Sequence, residues 1–290
     1  MQRQLIFILT VLVGGCAATD SRLTRDSLVD ARQKAKHRTR RIIMNNDGND
    51  SRQFEPGEPQ TVENFLSKRV SPLAGTQVDA IFYCSGVFNL YTHRSNVSEL
   101  HVTEPEFPRP WTMALINQGT DTLESVITFG HANKIEVFWS MRMNDTHDSS
   151  PNWSYLLTEW KKAHPDYLMK HLVEKPRYGG RRWSAVNYEL PEVRDKVFEI
   201  VQDVCTRYDV DGIEMDFFRH PVFFLPQMTG DEVTQKQCDL MTGLLRRVRT
   251  MTEEVGMKRG RPILVAARVP DSVGYARAIG LDLVLWFPDI

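Results

Sequence analysis

Asp209-Val210-Asp211-Gly212-Ile213-Glu214-Met215-Asp216-Phe217-Phe218-Arg219-His220-Pro221 is the segment on which the fold turns. In extended backbone successive side chains alternate faces. Gly212, Glu214 and Asp216 therefore share one face, and Ile213, Met215 and Phe217 the other. Carboxylates pressed against a layer of covering helices would be left without partners, so the acidic face must look away from them, into the interior and mouth of a barrel. At about 3.3 Å per residue the two acids lie about 7 Å apart along the strand. Asp216 then stands at the mouth as the reactive carboxylate. Glu214 lies one layer deeper, where burial is expected to raise its pKa. The plainer alternative is a buried acid ladder held by Arg142, Arg219 or Arg268.

Outward from this strand, short β-rich apolar runs alternate with longer stretches of helical period, the signature of parallel βα units. Strands are predicted over residues 41–45, 78–84, 135–143, 210–217 and 262–269, and helices over 62–71, 122–132, 192–208, 232–255 and 273–279. No glycine-rich phosphate turn follows the first strand, which favours a (β/α)8 TIM-type barrel over a doubly wound sheet. Residues 146–188 form the longest stretch without a strand and are rich in Trp, Tyr, Pro and Gly, as expected of a loop that walls a binding site. The terminal segment 283–290 reads equally as a sixth strand or another helix. A closed barrel needs eight strands, so five or six βα units predict an incomplete barrel, a fragment or truncated product unless the sheet closes by pairing with another chain.

The block Val186-Asn187-Tyr188-Glu189-Leu190-Pro191-Glu192-Val193-Arg194-Asp195, followed by Arg207-Tyr208-Asp209-Val210-Asp211-Gly212-Ile213-Glu214-Met215-Asp216, resembles the glycosyl-hydrolase-like 10 family of TIM-barrel proteins. That resemblance implies a glycosidase-like domain in which Asp216 takes the position of the strand-4 carboxylate proposed as nucleophile in α-amylase and α-galactosidase type barrels. The same segment is similar to the acid ladder of family 18 chitinases, D-G-x-D-x-D-x-E. The final glutamate, their proton donor, is Phe218 here, and this argues against chitinase-type catalysis.

A second polar cluster, Ser140-Met141-Arg142-Met143-Asn144-Asp145-Thr146-His147-Asp148, closes the third strand, where barrel sites are assembled. Arg142 is expected to orient a carboxylate, and Asn144, Asp145, His147 and Asp148 to bind sugar hydroxyls. Asp145, His147 and Asp148 also offer a weak divalent-cation site, though the plainer reading is an Asn/Asp-stabilised turn. Arg219, His220 and Arg268 complete the expected binding set. Asn45-Asn46-Asp47-Gly48-Asn49-Asp50 reads equally as a polar rim or an ordinary turn. Among Trp139, Trp153, Tyr155, Trp160, Tyr167, Tyr178, Trp183 and Tyr188, the loop-borne Trp153 and Trp183 are the expected sugar platforms, and Trp139 is expected in the core. Glycosidic hydrolysis normally needs two carboxyl groups. The fifth strand ends in Ala266-Ala267-Arg268, so the partner of Asp216 is sought among Glu214, Asp145, Asp148, Asp271 and Asp289. The function expected is a glycoside hydrolase acting on oligo- or polysaccharide. The alternatives are a non-catalytic surface carbohydrate-binding protein and, more distantly, a metal-dependent hydrolase. The latter scaffold carries His-x-His where Asn45-Asn46-Asp47 stands.

The chain opens with Arg3, an apolar run over residues 5–13 and then Gly14-Gly15-Cys16. The run is shorter than the roughly 20 residues that cross a bilayer and has the form of a signal peptide. Val13-Gly14-Gly15-Cys16 resembles a bacterial lipobox, which implies cleavage before Cys16, its lipidation and attachment to the cell envelope; the plainer alternative is an ordinary secretory peptide cut near Ala17 or Ala18. The expected division is a signal peptide over 1–15, a solvated tether over 16–40 and the barrel domain over 41–290. A hydrophobic content of 41% supports one large core. A net charge of −1 gives no reason to expect a nucleic-acid partner. Cys84, Cys205 and Cys238, an odd number, read as small buried hydrophobes and not as a disulfide framework.

Overall fold

The structure, a computed structural model, describes residues 24–102, 109–169 and 182–289. The expected signal peptide over 1–15, Cys16 and Tyr178 lie outside the described residues.

Five parallel strands form the main sheet: β1 (Ile43–Asn46), β2 (Ala80–Tyr83), β6 (Glu136–Arg142), β7 (Gly212–Asp216) and β8 (Leu264–Arg268). Three two-residue strands, β3 (Gly86–Val87), β4 (Leu90–Tyr91) and β5 (Glu99–Leu100), make a small second sheet in the loop after β2. Isolated two-residue strands carry no legible period, and the sequence reading missed them. In the main sheet each strand lies beside its predecessor in the chain, in the order β1-β2-β6-β7-β8. A doubly wound sheet reverses its order at a switch point, and this one does not. The architecture is α/β with the singly wound order of a TIM-type barrel wall. The described residues supply five of the eight strands that a closed barrel needs.

Eleven α-helices accompany the strands in the described residues: α1 (Arg25–Lys36), α2 (Asn49–Arg52), α3 (Val62–Ser67), α4 (Trp111–Ile116), α5 (Thr122–Ala132), α6 (Glu159–Ala163), α7 (Pro191–Arg207), α8 (Pro226–Thr229), α9 (Gln235–Arg259), α10 (Val273–Ala278) and α11 (Leu283–Asp289). Asp121 caps α5 by accepting from Glu124 N, and Thr234 with Gln237 forms a capping box on α9. The terminal segment, open between strand and helix in the sequence, is the helix α11.

Strand alternation divides the core. Ile81, Tyr83, Val137, Trp139, Met141, Ile213 and Met215 pack against helix residues such as Val126, Val197, Val201, Leu244 and Val248. On the other face Ala80, Phe82, Phe138 and Leu264 form a separate cluster, with Phe82 and Phe138 stacked at 4.5 Å. Gly212 belongs to that face because a Cβ there would lie 2.2 Å from the Phe138 ring. Cross-strand register carries the same face upward: Ser140 pairs with Glu214 and then Ala266, and Arg142 with Asp216 and then Arg268. Apolar side chains thus fill the lower layer of the interior face, and ionisable ones the upper.

The expected solvated tether over 16–40 is corrected in part. Residues 25–36 form α1, capped by the Thr24 hydroxyl, with Leu28 fully buried and Arg32 paired to Glu253 of α9. Ala35 packs on the Phe82–Phe138 cluster, and Arg40 bonds Glu136 at 2.6 Å. Apolar surface at the lower end of the sheet must be covered, and this helix covers it. The three expected buried cysteines are free thiols in the interior.

Candidate active site

Asn45, Asp47, Cys84, Ser140, Arg142, Asp216, Arg219 and Arg268 line a cleft of about 100 Å³ at the carboxyl end of the sheet. Each strand delivers its last inward residue here, which is why groups far apart in sequence converge.

Asp216 is buried at the cleft wall. One oxygen accepts the Phe218 backbone N–H at 2.9 Å, and the other lies 3.5 Å from Arg268 Nη1. Below it, Glu214 accepts the Ser140 hydroxyl at 2.5 Å and meets Arg268 Nε at 3.3 Å. Burial pushes the Glu214 pKa up, against the opposing pull of Ser140 and Arg268, as the alternation predicted. Of the three arginines proposed to hold the ladder, Arg268 is the one that meets both acids.

Asp47 reaches the same cleft from the loop after β1. Burial works to raise its pKa, but the Asn49 N–H and the Arg69 guanidinium, at 2.5 Å, hold it below the usual value. The loop turns at Gly48, whose φ of 77° is left-handed and whose added Cβ would lie 1.9 Å from Cys84 O. Its sequence serves both readings at once, since Asn46 accepts from Gly48 N and donates to Asp50 while Asn45 and Asp47 face the cleft.

The loop after β6 departs from expectation. Asn144 is buried, donating to Val186 O and Val222 O and accepting from Val186 N. Asp148 is buried against Lys161 Nζ at 2.7 Å and the Ser184 hydroxyl. Asp145 accepts from Arg142 at 2.9 Å and from His147 Nδ1 at 2.6 Å. Burial would raise its pKa, but the His147 hydrogen bond and the Arg142 charge hold it well below the carboxylate range. These three residues were expected to bind sugar hydroxyls. Their oxygens and nitrogens are instead spent on the loop itself, because a buried loop must satisfy its own polar groups. Trp183 is likewise half-buried and donates to Ser149 O, whereas Trp153 is 41% exposed beside His147, with ring centres 6.4 Å apart. Trp139 is core, bonded to Ser85. Asp271 is exposed and does not line the cleft. The side chain of Asp289 lies outside the described residues.

The hydrogen bonds fix the histidine tautomers. Arg219 can only donate, so His147 Nε2, 2.8 Å away, accepts, and Nδ1 carries the proton given to Asp145. His220 Nδ1 accepts the Thr146 N–H at 2.8 Å, and burial lowers its pKa to about 3. Asp145, His147 and His220 are close enough together to hold a cation. The bonds above already occupy the Asp145 oxygens and both Nδ1 atoms, so an ion there would leave the Thr146 N–H unpaired. Asp148, the third member of the cation site read from sequence, points instead to Lys161.

Residues 110–239 match the model of the glycosyl hydrolase-like 10 family. The match includes β6 and β7, which end in Arg142 and Asp216, and the loops after them, which carry His147 and Arg219. No curated protein matches the chain. Among solved structures it is similar to α-L-fucosidase isoenzyme 2 from Paenibacillus thiaminolyticus, at 16% identity and a TM-score of 0.44 over 78% of this chain. It is also similar to a maltogenic α-amylase from Thermotoga neapolitana, at 15% identity and a TM-score of 0.42 over 82% of this chain. The chain spans 32% of the fucosidase and 47% of the amylase.

Proposed function

We propose that the protein hydrolyses glycosidic bonds of an oligo- or polysaccharide, with Asp216 as the carboxylate that attacks, or stabilises positive charge at, the anomeric carbon. The observation that carries this is the position of Asp216 at the end of the fourth parallel strand, in the cleft, above a second carboxyl of raised pKa. The match to a glycosyl hydrolase-like family over the segment containing it supports the same reading. Glu214 is the candidate proton donor, since a carboxyl that retains its proton at higher pH is suited to protonate a leaving oxygen. Trp153 offers an exposed ring for the apolar face of a sugar beside the cleft.

A second reading, carbohydrate binding without turnover, is favoured by one observation. Glu214 lies beneath the cleft wall, engaged with Ser140 and Arg268, and is not among the lining residues. Reducing-sugar release from a panel of oligosaccharides, measured together with binding, separates the two. Turnover supports hydrolysis, binding alone supports the second reading, and neither contradicts both.

We also infer that the protein works at the cell envelope, anchored through lipidated Cys16. The lipobox-like Val13-Gly14-Gly15-Cys16 supports this. Stable attachment then requires more than one acyl chain, because a single chain anchors only marginally.

A further inference from the structure

Aromatic rings follow one another out of the cleft. Arg219, in the cleft wall, bonds His147 Nε2 at 2.8 Å, and the His147 ring adjoins Trp153 with centres 6.4 Å apart. Trp153 lies 6.0 Å from Tyr155, and Tyr155 is stacked on His101 at 6.2 Å, with 23° between their planes. Tyr155 and His101 line a second cavity, of about 560 Å³, between the small sheet and residues 155–162. The small sheet holds this end of the series in place. Val87 of β3, Leu90 of β4 and Leu156 form a buried apolar cluster against which Tyr155 packs. Glu99 of β5 accepts the backbone N–H groups of Glu159 at 2.8 Å and Trp160 at 2.9 Å, which ties the start of α6 to the sheet.

Ring spacing and cavity charge together choose the ligand. Each step from ring to ring is on the scale of one sugar, and a flat ring suits the apolar face of a pyranose while leaving its hydroxyls to water. Lys162 is the one cation lining the second cavity among the described residues, against the acids Glu99 and Glu159. His101, its pKa lowered to about 4 by burial, adds no positive charge. A surplus of acid repels anionic sugars and leaves neutral ones unopposed. We propose that this cavity is a distal subsite of the cleft, and that the rings between the two carry a neutral glycan chain. This rests on the reading of the cleft as a glycan site, and adds that the ligand is a chain of several sugars reaching beyond it.

Isothermal titration of the full chain tests it with the disaccharide to the hexasaccharide of the cello-, malto- and chito-oligosaccharide series, using Asp216→Asn wherever the wild type turns the probe over. In whichever series binds, the hexasaccharide is expected to bind about ten-fold or more tightly than the disaccharide, as further ring contacts would give. Trp153→Ala, at an exposed ring, is expected to lower hexasaccharide affinity several-fold more than disaccharide affinity. Tyr155→Leu, which keeps apolar packing and removes the flat face, should do the same, whereas Tyr155→Phe should retain the wild-type ratio. Thermal unfolding checks that each variant folds. Tyr275→Ala, which removes an exposed ring on α10, should change nothing. Equal affinity for disaccharide and hexasaccharide overturns the distal subsite while leaving a glycan site standing. A length dependence that survives Tyr155→Leu also overturns it, even where Trp153→Ala removes that dependence. Absence of binding by every series overturns both readings.

Discussion

Arg268 stands across the β7–β8 register from Asp216, and its guanidinium reaches Asp216 at 3.5 Å and Glu214 at 3.3 Å. One cation thus serves two acids that the strand places on the same face two residues apart. Arg268 occupies the end of the fifth strand, where the sequence offers no acid. Its neighbours make it the link between Asp216 in the cleft and Glu214 beneath the cleft wall.

Glu214 gives that arrangement a pH signature. Its folded-state pKa is raised, so the stability of its protonated form is fully present below the unfolded value and is lost as pH rises through the folded one. Glu214→Gln keeps the neutral shape at every pH. The difference in Tm, variant minus wild type, should grow more positive from pH 4 to pH 7. A difference that is flat or falls would show that ionisation of Glu214 is not resisted.

His220 works in the opposite sense. With its pKa lowered to about 3 by burial, it contributes stability above its unfolded value near 6.5, and that stability is lost as pH falls toward 3. His93 and His101, each lowered to about 4 by burial, share the window. Chemical denaturation from pH 7 to pH 4 should show a decline in the wild type that is shallower in His220→Asn, by up to about 1.4 kcal/mol per pH unit at most. Equal slopes would contradict the neutral, buried state of His220.

Gly48 tests the loop that brings Asp47 to the cleft. Gly48→Ala would place a Cβ 1.9 Å from Cys84 O on a left-handed backbone. The expected loss is about 2 kcal/mol or more, read by urea denaturation. A change within 0.5 kcal/mol, the ordinary scatter of surface substitutions, would mean that the loop relaxes freely.

Much of this was legible in the sequence because two periods are strong. The 2-residue alternation of residues 209–217 placed Glu214 and Asp216 on the interior face, and all five predicted strands recur as β1, β2, β6, β7 and β8. Residues 122–132 match α5 end to end, since Asp121 caps it. The loop chemistry was less legible. Asn144, Asp145 and Asp148 look like ligands in one dimension, and only the fold reveals that Val186, Arg142, His147 and Lys161 consume them. Arg69 carries no local signal, because what sets it apart is the partner it finds in Asp47, 22 residues away. The helix over 25–36 was read as tether because its polar composition hides a single buried anchor, Leu28.

The proposed lipid anchor is checked separately from the fold. Cys16→Ser should move the protein from the membrane fraction to the soluble one on cell fractionation. A variant that still pellets with membranes would rule out lipidation at Cys16 as the tether.

The most direct test of the central claim is the hydrolysis rate of Asp216→Asn on whichever oligosaccharide the wild type turns over, with binding measured beside it. Asparagine preserves the shape and can still accept the Phe218 N–H, but it cannot supply a full negative charge to a transition state. The account predicts that kcat falls on the order of 10³-fold or more while sugar affinity stays within a few-fold. Turnover by Asp216→Asn equal to that of the wild type would contradict it.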